Sequence, residues 1–245
     1  MQSLTLSYQH IRQAIGGLGI ALPLLIYLHT GLVGHCWSMQ DSISHYFYTT
    51  GTVFFEGILW VLGLVLIYYP SYDKEKKIDK ILTVLSGFFA WGVAMIPTNN
   101  MPLPNCAIFT YPASPLRNSI HYFCAASMLA IFSFMSLFLF TRSRADQYGA
   151  ANPIRWKKVR NTIYRVCGAI TALSILTIAV LSFTGIGDQL SFPYVFWFEV
   201  TSIVPFGVAW LIKGGFLFTD ENEVSTVRRI TSYLSPGQSP GIKSN

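Results

Sequence analysis

The residues best able to do chemistry in this chain gather at positions 41–57, DSISHYFYTTGTVFFEG. Ser42, Ser44 and His45 stand close together there, and Glu56 sits about one turn inside the apolar run that follows. Two other stretches are built alike. Asn118-Ser-Ile-His121-Tyr-Phe opens one apolar run, and Pro193-Tyr-Val-Phe-Trp-Phe-Glu199 opens another. His29 lies near the end of the first apolar run. Ionisable side chains inside membrane helices are costly, so each marks a site or a buried partner. The candidate pocket residues are therefore His29, Ser42, Ser44, His45, Glu56, His121 and Glu199.

Depth counting refines this set. At the helical rise per residue, His29, Glu56, His121 and Glu199 all fall within roughly 10 Å of one interface. Three kinds of chemistry fit two imidazoles and two carboxylates at one depth. They can form a hydrogen-bond network that ties helices together. They can hold a divalent metal such as Zn²⁺, Mn²⁺ or iron, although no HxxxH or HExxH spacing fixes the donors. They can line a proton-linked or ligand-binding pocket open to one side. Ser42 and Ser44 beside His45 also invite a nucleophile, but no strand–turn–helix elbow presents them.

The elements that must position these residues are membrane helices. The chain is 52% hydrophobic and 11% charged, against about 25% charged residues in a soluble domain. Six apolar runs stand out, at about 15–34, 50–69, 78–98, 119–141, 164–185 and 194–216. Each approaches the roughly 20 residues a helix needs to cross a bilayer. The run at 15–34 is too long for a signal-peptide core, and no small-x-small cleavage pattern follows it. The expected fold is all-α: a polytopic bundle of six transmembrane helices spanning 1–218, with a polar, disordered tail at 219–245.

Lysine and arginine placement orients the bundle. The second connection carries Lys74, Lys76, Lys77 and Lys80, and the fourth carries Arg142, Arg144, Arg155, Lys157, Lys158, Arg160 and Arg165. Connections one and five carry none, and connection three has Arg117. Basic connections stay in the cytoplasm. Both termini are therefore expected there, in an inner (plasma) membrane, with the odd-numbered connections outside. Basic residues confined to loops are no nucleic-acid footprint, despite the net charge of +6. Lys157, Lys158 and Arg160 are expected to meet anionic lipid headgroups.

Smaller features give packing expectations. Ser86, Ala90 and Ala94 form a ridge of small residues on the third run, and Ala126 with Ala130 does so on the fourth. Tyr46, Phe47, Tyr48, Tyr122, Phe123, Trp37, Tyr194 and Trp197 read as an aromatic belt at the outer interface. Of the four cysteines, Cys124 and Cys167 fall inside apolar runs, while Cys36 and Cys106 stand in outer connections. In an oxidising compartment that pair can form a disulfide, the alternative being two free thiols. The bridge would pin the proline-rich stretch 101–116 over the outer mouth.

Several of these motifs carry a resemblance. DSISHYFYT, FFAWGVAMIPT at 88–98, His121, FWFEV and FGVAWLIKG resemble an uncharacterised bacterial six-helix membrane family. That family has an SIS-x-Tyr-x-Tyr-Thr motif and a plan similar to the DRAM/Sfk-type membrane proteins. The resemblance covers about 15–214 and implies the six-helix fold and topology rather than a chemistry. The chain departs from the pattern at Thr49-Thr50-Gly51, where a basic–acidic pair is expected; its acid comes only at Glu56. Similarity to the membrane ceramidase and adiponectin-receptor group is slighter, because the paired histidines of the last helix are missing. The expected function is small-solute transport, sensing or lipid interaction rather than catalysis, through an outward-facing His/Glu pocket. The alternative is a metal-dependent membrane hydrolase acting on lipid, with His29, Glu56, His121 and Glu199 as metal donors.

Overall fold

The computed structural model describes residues 2–69, 77–99, 105–142 and 156–218. These residues form helices and no strands. The long helices are α1 (Gln2–Leu32), α2 (Thr52–Tyr68), α3 (Lys77–Met95), α4 (Pro115–Phe134), α5 (Lys157–Thr184) and α6 (Tyr194–Lys213). A π-helical turn, Met135–Leu139, continues α4, and two short 3₁₀ turns, Ile43–Tyr48 and Gly187–Gln189, precede α2 and α6. Five helices are long and apolar enough to cross a membrane, and α2 is shorter, at 17 residues. The tail at 219–245, and Lys74, Lys76, Arg144 and Arg155, lie outside the described residues.

Helix boundaries follow local chemistry. α4 starts earlier than its apolar run because Ser114 caps it, accepting from the Arg117 N–H at 3.3 Å, with Pro115 in the first turn. α3 stops at Met95, earlier than expected: the Ile96 N–H still reaches the Gly92 carbonyl at 3.0 Å, but Pro97 has no N–H to carry the ladder further. Pro23 and Pro205 lie inside continuous helices α1 and α6.

The bundle packs through bare backbone. A Cβ on Gly16 would lie 2.5 Å from the Gly207 carbonyl, and a Cβ on Gly207 would lie 2.7 Å from the Gly16 carbonyl. α1 and α6 therefore cross with their chains in direct contact, as small residues permit between membrane helices. Gly63 of α2 and Gly87 of α3 repeat the arrangement, with a Gly87 Cβ only 2.6 Å from the Gly63 carbonyl. α5 is tied on by hydroxyls: Ser133 donates to the Gly168 carbonyl at 2.8 Å, and Thr171 to that of Ser202 at 2.9 Å. The ridge Ser86, Ala90 and Ala94 is buried, as its spacing predicts. The Ala126/Ala130 ridge is not: both are exposed, because α4 buries His121, Cys124, Met128, Leu129 and Phe132 instead. α5 turns Leu173, Leu176, Val180 and Phe183 outward, an apolar surface suited to lipid.

The two ends are closed differently. At the end expected to be cytoplasmic, cations reach main-chain carbonyls at the ends of helices. Arg12 donates to the Lys213 carbonyl of α6 at 3.0 Å. Lys80 donates to Ile67 and Tyr69 at the end of α2, at 2.6 and 2.9 Å. Lys213 donates to Phe140 beyond α4 at 2.8 Å. The last carbonyls of a helix lack intrahelical donors and carry partial negative charge, so a cation satisfies both needs. Arg160, expected at headgroups, is buried and donates to the Phe218 carbonyl at 2.8 Å, while Lys157 is half-exposed and Lys158 exposed.

The glycine crossing gives a paired prediction. Gly207→Ala forces α1 and α6 apart and should lower unfolding stability by about 1–3 kcal/mol, the usual cost of overpacking. Gly17→Ala, with nothing within 4 Å of its added Cβ, should be neutral or slightly stabilising. Unfolding in detergent mixtures measures both.

Candidate functional site: a buried turn at the outer end

The end expected to face outward is organised around Ile43–Tyr48, which the sequence presents as a loop. Ser42 caps it as a 3₁₀ turn, its Oγ accepting from the His45 N–H at 3.1 Å. Ile43, Ser44, Tyr46, Phe47 and Tyr48 are all buried. Tyr46, Phe47 and Tyr48 thus leave the expected aromatic belt and form a core. Phe47 meets Phe55, Phe109 and Tyr111 at ring distances of 6.4, 5.5 and 6.2 Å, and Tyr46 meets Phe196 at 5.9 Å. Trp37, Tyr122, Phe123 and Trp197 stay exposed.

Polar bonds from several neighbouring elements hold this turn and the residues that flank it. Glu199 of α6 accepts the Ile43 N–H at 2.5 Å. His121 of α4 bonds Ser44 Oγ through Nε2 at 2.9 Å. Thr49, just after the turn, meets Thr30 of α1 at 3.1 Å between hydroxyls. The Ile108 N–H donates to the Tyr48 carbonyl at 2.8 Å, and the Phe196 N–H to that of Asp41 at 2.9 Å. Cys36 and Cys106 are joined in a disulfide, with Cα atoms 5.9 Å apart, linking the first and third connections. Cys106 takes a left-handed backbone, φ 71°, unusual for a residue with a Cβ.

The segment after α3 supplies the opposite half of the site. Its four successive carbonyls, Ile96 to Asn99, each accept from a different side chain. His121 Nδ1 reaches Ile96 at 2.6 Å, and Arg117 Nε reaches Pro97 at 3.1 Å. Tyr48 Oη reaches Thr98 at 2.5 Å, and His45 Nε2 reaches Asn99 at 3.1 Å. Asn118 Oδ1 accepts from Thr98 Oγ1 at 2.8 Å and from the Asn99 N–H at 2.9 Å. Sequence reasoning quoted Thr98 and Asn118 only within longer motifs and counted Arg117 only for orientation, and it gave none of them, nor Asn99, a place in the site. Pro97 among polar residues is the signal that marks this stretch.

The ring protons follow from these partners. A carbonyl only accepts, so Nδ1 of His121 carries a hydrogen, and in the neutral ring Nε2 accepts from the Ser44 hydroxyl. Ser44, His121 and the Ile96 carbonyl thus have the nucleophile–base–orienter geometry. The backbone N–H groups on either side of Ser44 are already used, Ile43 by Glu199 and His45 by Ser42. They are not available to stabilise an oxyanion. Ser44 and Glu199 also share a cavity of about 30 Å³, otherwise lined by apolar side chains such as Leu22, Phe55 and Met128. That is room for water, with polar partners on the turn and on α6.

The other candidates lie apart from this centre. Glu56 accepts from Thr52 of its own helix at 3.2 Å, rather than from a different helix. His29 packs edge-on against Phe54 at 5.2 Å, and its Nδ1 is buried without a hydrogen-bond partner. Among the described residues, no group of three or more His, Cys, Asp or Glu is placed to hold a metal ion. His29, Glu56, His121 and Glu199 do not form one donor set. No family model, curated protein or solved structure matches the chain.

Burial shifts the titratable groups of the turn. Tyr46 is pushed up to about 12 by desolvation, and Tyr48 is raised for the same reason. His45 is lowered, by burial above all, against the opposing pull of Asp41 and the Asn99 carbonyl. Its Nε2 faces that carbonyl and its Nδ1 is buried without a partner, so a second proton has nothing to bond. The folded state therefore favours the neutral ring. Its stabilising share is complete above the unfolded value of about 6.5 and is lost as pH falls below it. Between pH 7 and 5 the protein should lose thermal stability, and His45→Gln should flatten that loss. A thermal-melt series across this range measures both.

Proposed function

We propose that this chain is a six-span membrane protein with both termini in the cytoplasm, and that it senses protons from the outer side. Ser44, His121 and Glu199 are the sensing group. The turn 43–48, with the two disulfide-linked connections around it, is the readout. One observation carries this reading: two ionisable side chains, from α4 and α6, hold consecutive residues of one buried turn. A histidine ring and a carboxylate confined in this way change charge with little room to rehydrate. Either change acts directly on the element that joins the outer ends of the helices. In the same turn Asp41 acts on His45, and Arg117 on Tyr48. The spent N–H groups beside Ser44 favour proton handling over acyl transfer. The scattered placement of His29 and Glu56 gives no support to a metal-dependent hydrolase.

The test reads sidedness and response together. Single cysteines at Ile108, whose N–H bonds the turn, and at Ile186 in the fifth connection are both at exposed positions. In intact cells an impermeant maleimide should label both. The rate at 108 relative to 186 should change between external pH 8 and 5, and the double change His121→Asn with Glu199→Gln should remove that dependence. Absence of label at both positions contradicts the topology. A ratio independent of pH contradicts the sensing role.

A further inference from the structure

An apolar groove of about 280 Å³ opens between α1 and α2 at the basic end of the bundle, lined by Ile11, Leu64, Val65, Tyr68 and Tyr69. Tyr68 is 75% exposed and Leu64 48%, so the groove lies on the surface. One end of it is cationic. Lys80 is fixed there by the carbonyls of Ile67 and Tyr69. Both acceptors are neutral, so these bonds orient the ammonium without cancelling its charge. Asp79, its neighbour in sequence, is turned toward Arg142 at 3.9 Å. Lys77, one turn earlier on α3, is exposed. Arg12 holds the Tyr69 hydroxyl from the α1 side at 2.7 Å. An apolar slot with a fixed cation at its mouth matches a molecule with a hydrocarbon chain and an anionic head.

We propose that this groove binds one anionic phospholipid, from the leaflet that this end of the bundle meets. An acyl chain lies along Leu64, Val65 and Tyr68, and the phosphate lies at Lys80. A phosphate oxygen accepts a charge-assisted hydrogen bond there, and the chain replaces looser bilayer lipid against the groove. The site is independent of the outer turn and of any proton response.

Native mass spectrometry of the full chain in neutral detergent tests it, with equimolar phosphatidylglycerol and phosphatidylcholine of identical chains. The expected result is one retained lipid, with phosphatidylglycerol favoured several-fold. Lys80→Gln should bring the two lipids near parity. Because Lys80 also caps α2, Leu64→Trp provides a second arm: it fills the groove from an exposed position and should remove the retained lipid. Arg165→Gln, at an exposed site on α5, should keep the preference. Equal retention of both lipids by the unaltered chain overturns the proposal. So does a preference that survives both Lys80→Gln and Leu64→Trp, or a lipid-free dimer showing that a second copy fills the groove.

Discussion

Four carbonyls in a row, Ile96 to Asn99, set the terms for the outer half of this molecule. They follow a helix that Pro97 has stopped, and they lie where main-chain groups must find partners inside the protein. No strand is there to pair with them. The donors come instead from side chains on two other segments: His45 and Tyr48 from the turn, Arg117 and His121 from the start of α4. Each such bond contributes about 0.5–1.5 kcal/mol net, but leaving a buried carbonyl bare costs about 1–3 kcal/mol. The penalty for failure is what makes the arrangement specific. It requires the turn to be buried, and burial of the turn draws Glu199 and the aromatic core in with it.

The opposite end solves the same problem with charge. Arg12, Lys80 and Lys213 reach carbonyls at or just beyond the ends of α6, α2 and α4. Lys80 is also one of the lysines from which a cytoplasmic placement of this end is expected. In the structure these cations close helix ends. At the other end one cation, Arg117, shares that task with Tyr48 and two histidines. This difference leaves the buried histidines at one end of the bundle and the carbonyl-bound cations at the other.

The helices were legible in the sequence because apolar runs near the span length are hard to mistake. Their ends were less so, since a cap such as Ser114 or a stop such as Pro97 moves a boundary by several residues. Depth counting brought His121 and Glu199 to one level, and both lie on the faces their helices bury, in step with Cys124 and with Phe196 and Ser202. The same counting put His29 and Glu56 at that level, but depth says nothing about direction around a helix. Glu56 turns along its own helix to Thr52. The turn itself was hidden for another reason. A short polar–aromatic stretch between two apolar runs reads as an interfacial loop, and only the carbonyls of a distant segment make it a core. Thr98, Asn99 and Asn118 were illegible because their side chains bond one another and the main chain across two segments that sequence alone does not bring together.

A double-mutant cycle on unfolding, with Ser44→Ala and His121→Phe, tests most directly whether the turn is the element that holds the outer end. The bond between these two side chains should appear as a coupling of at least about 1 kcal/mol, with both single changes destabilising. Single effects that simply add, to within about 0.5 kcal/mol, would contradict the account.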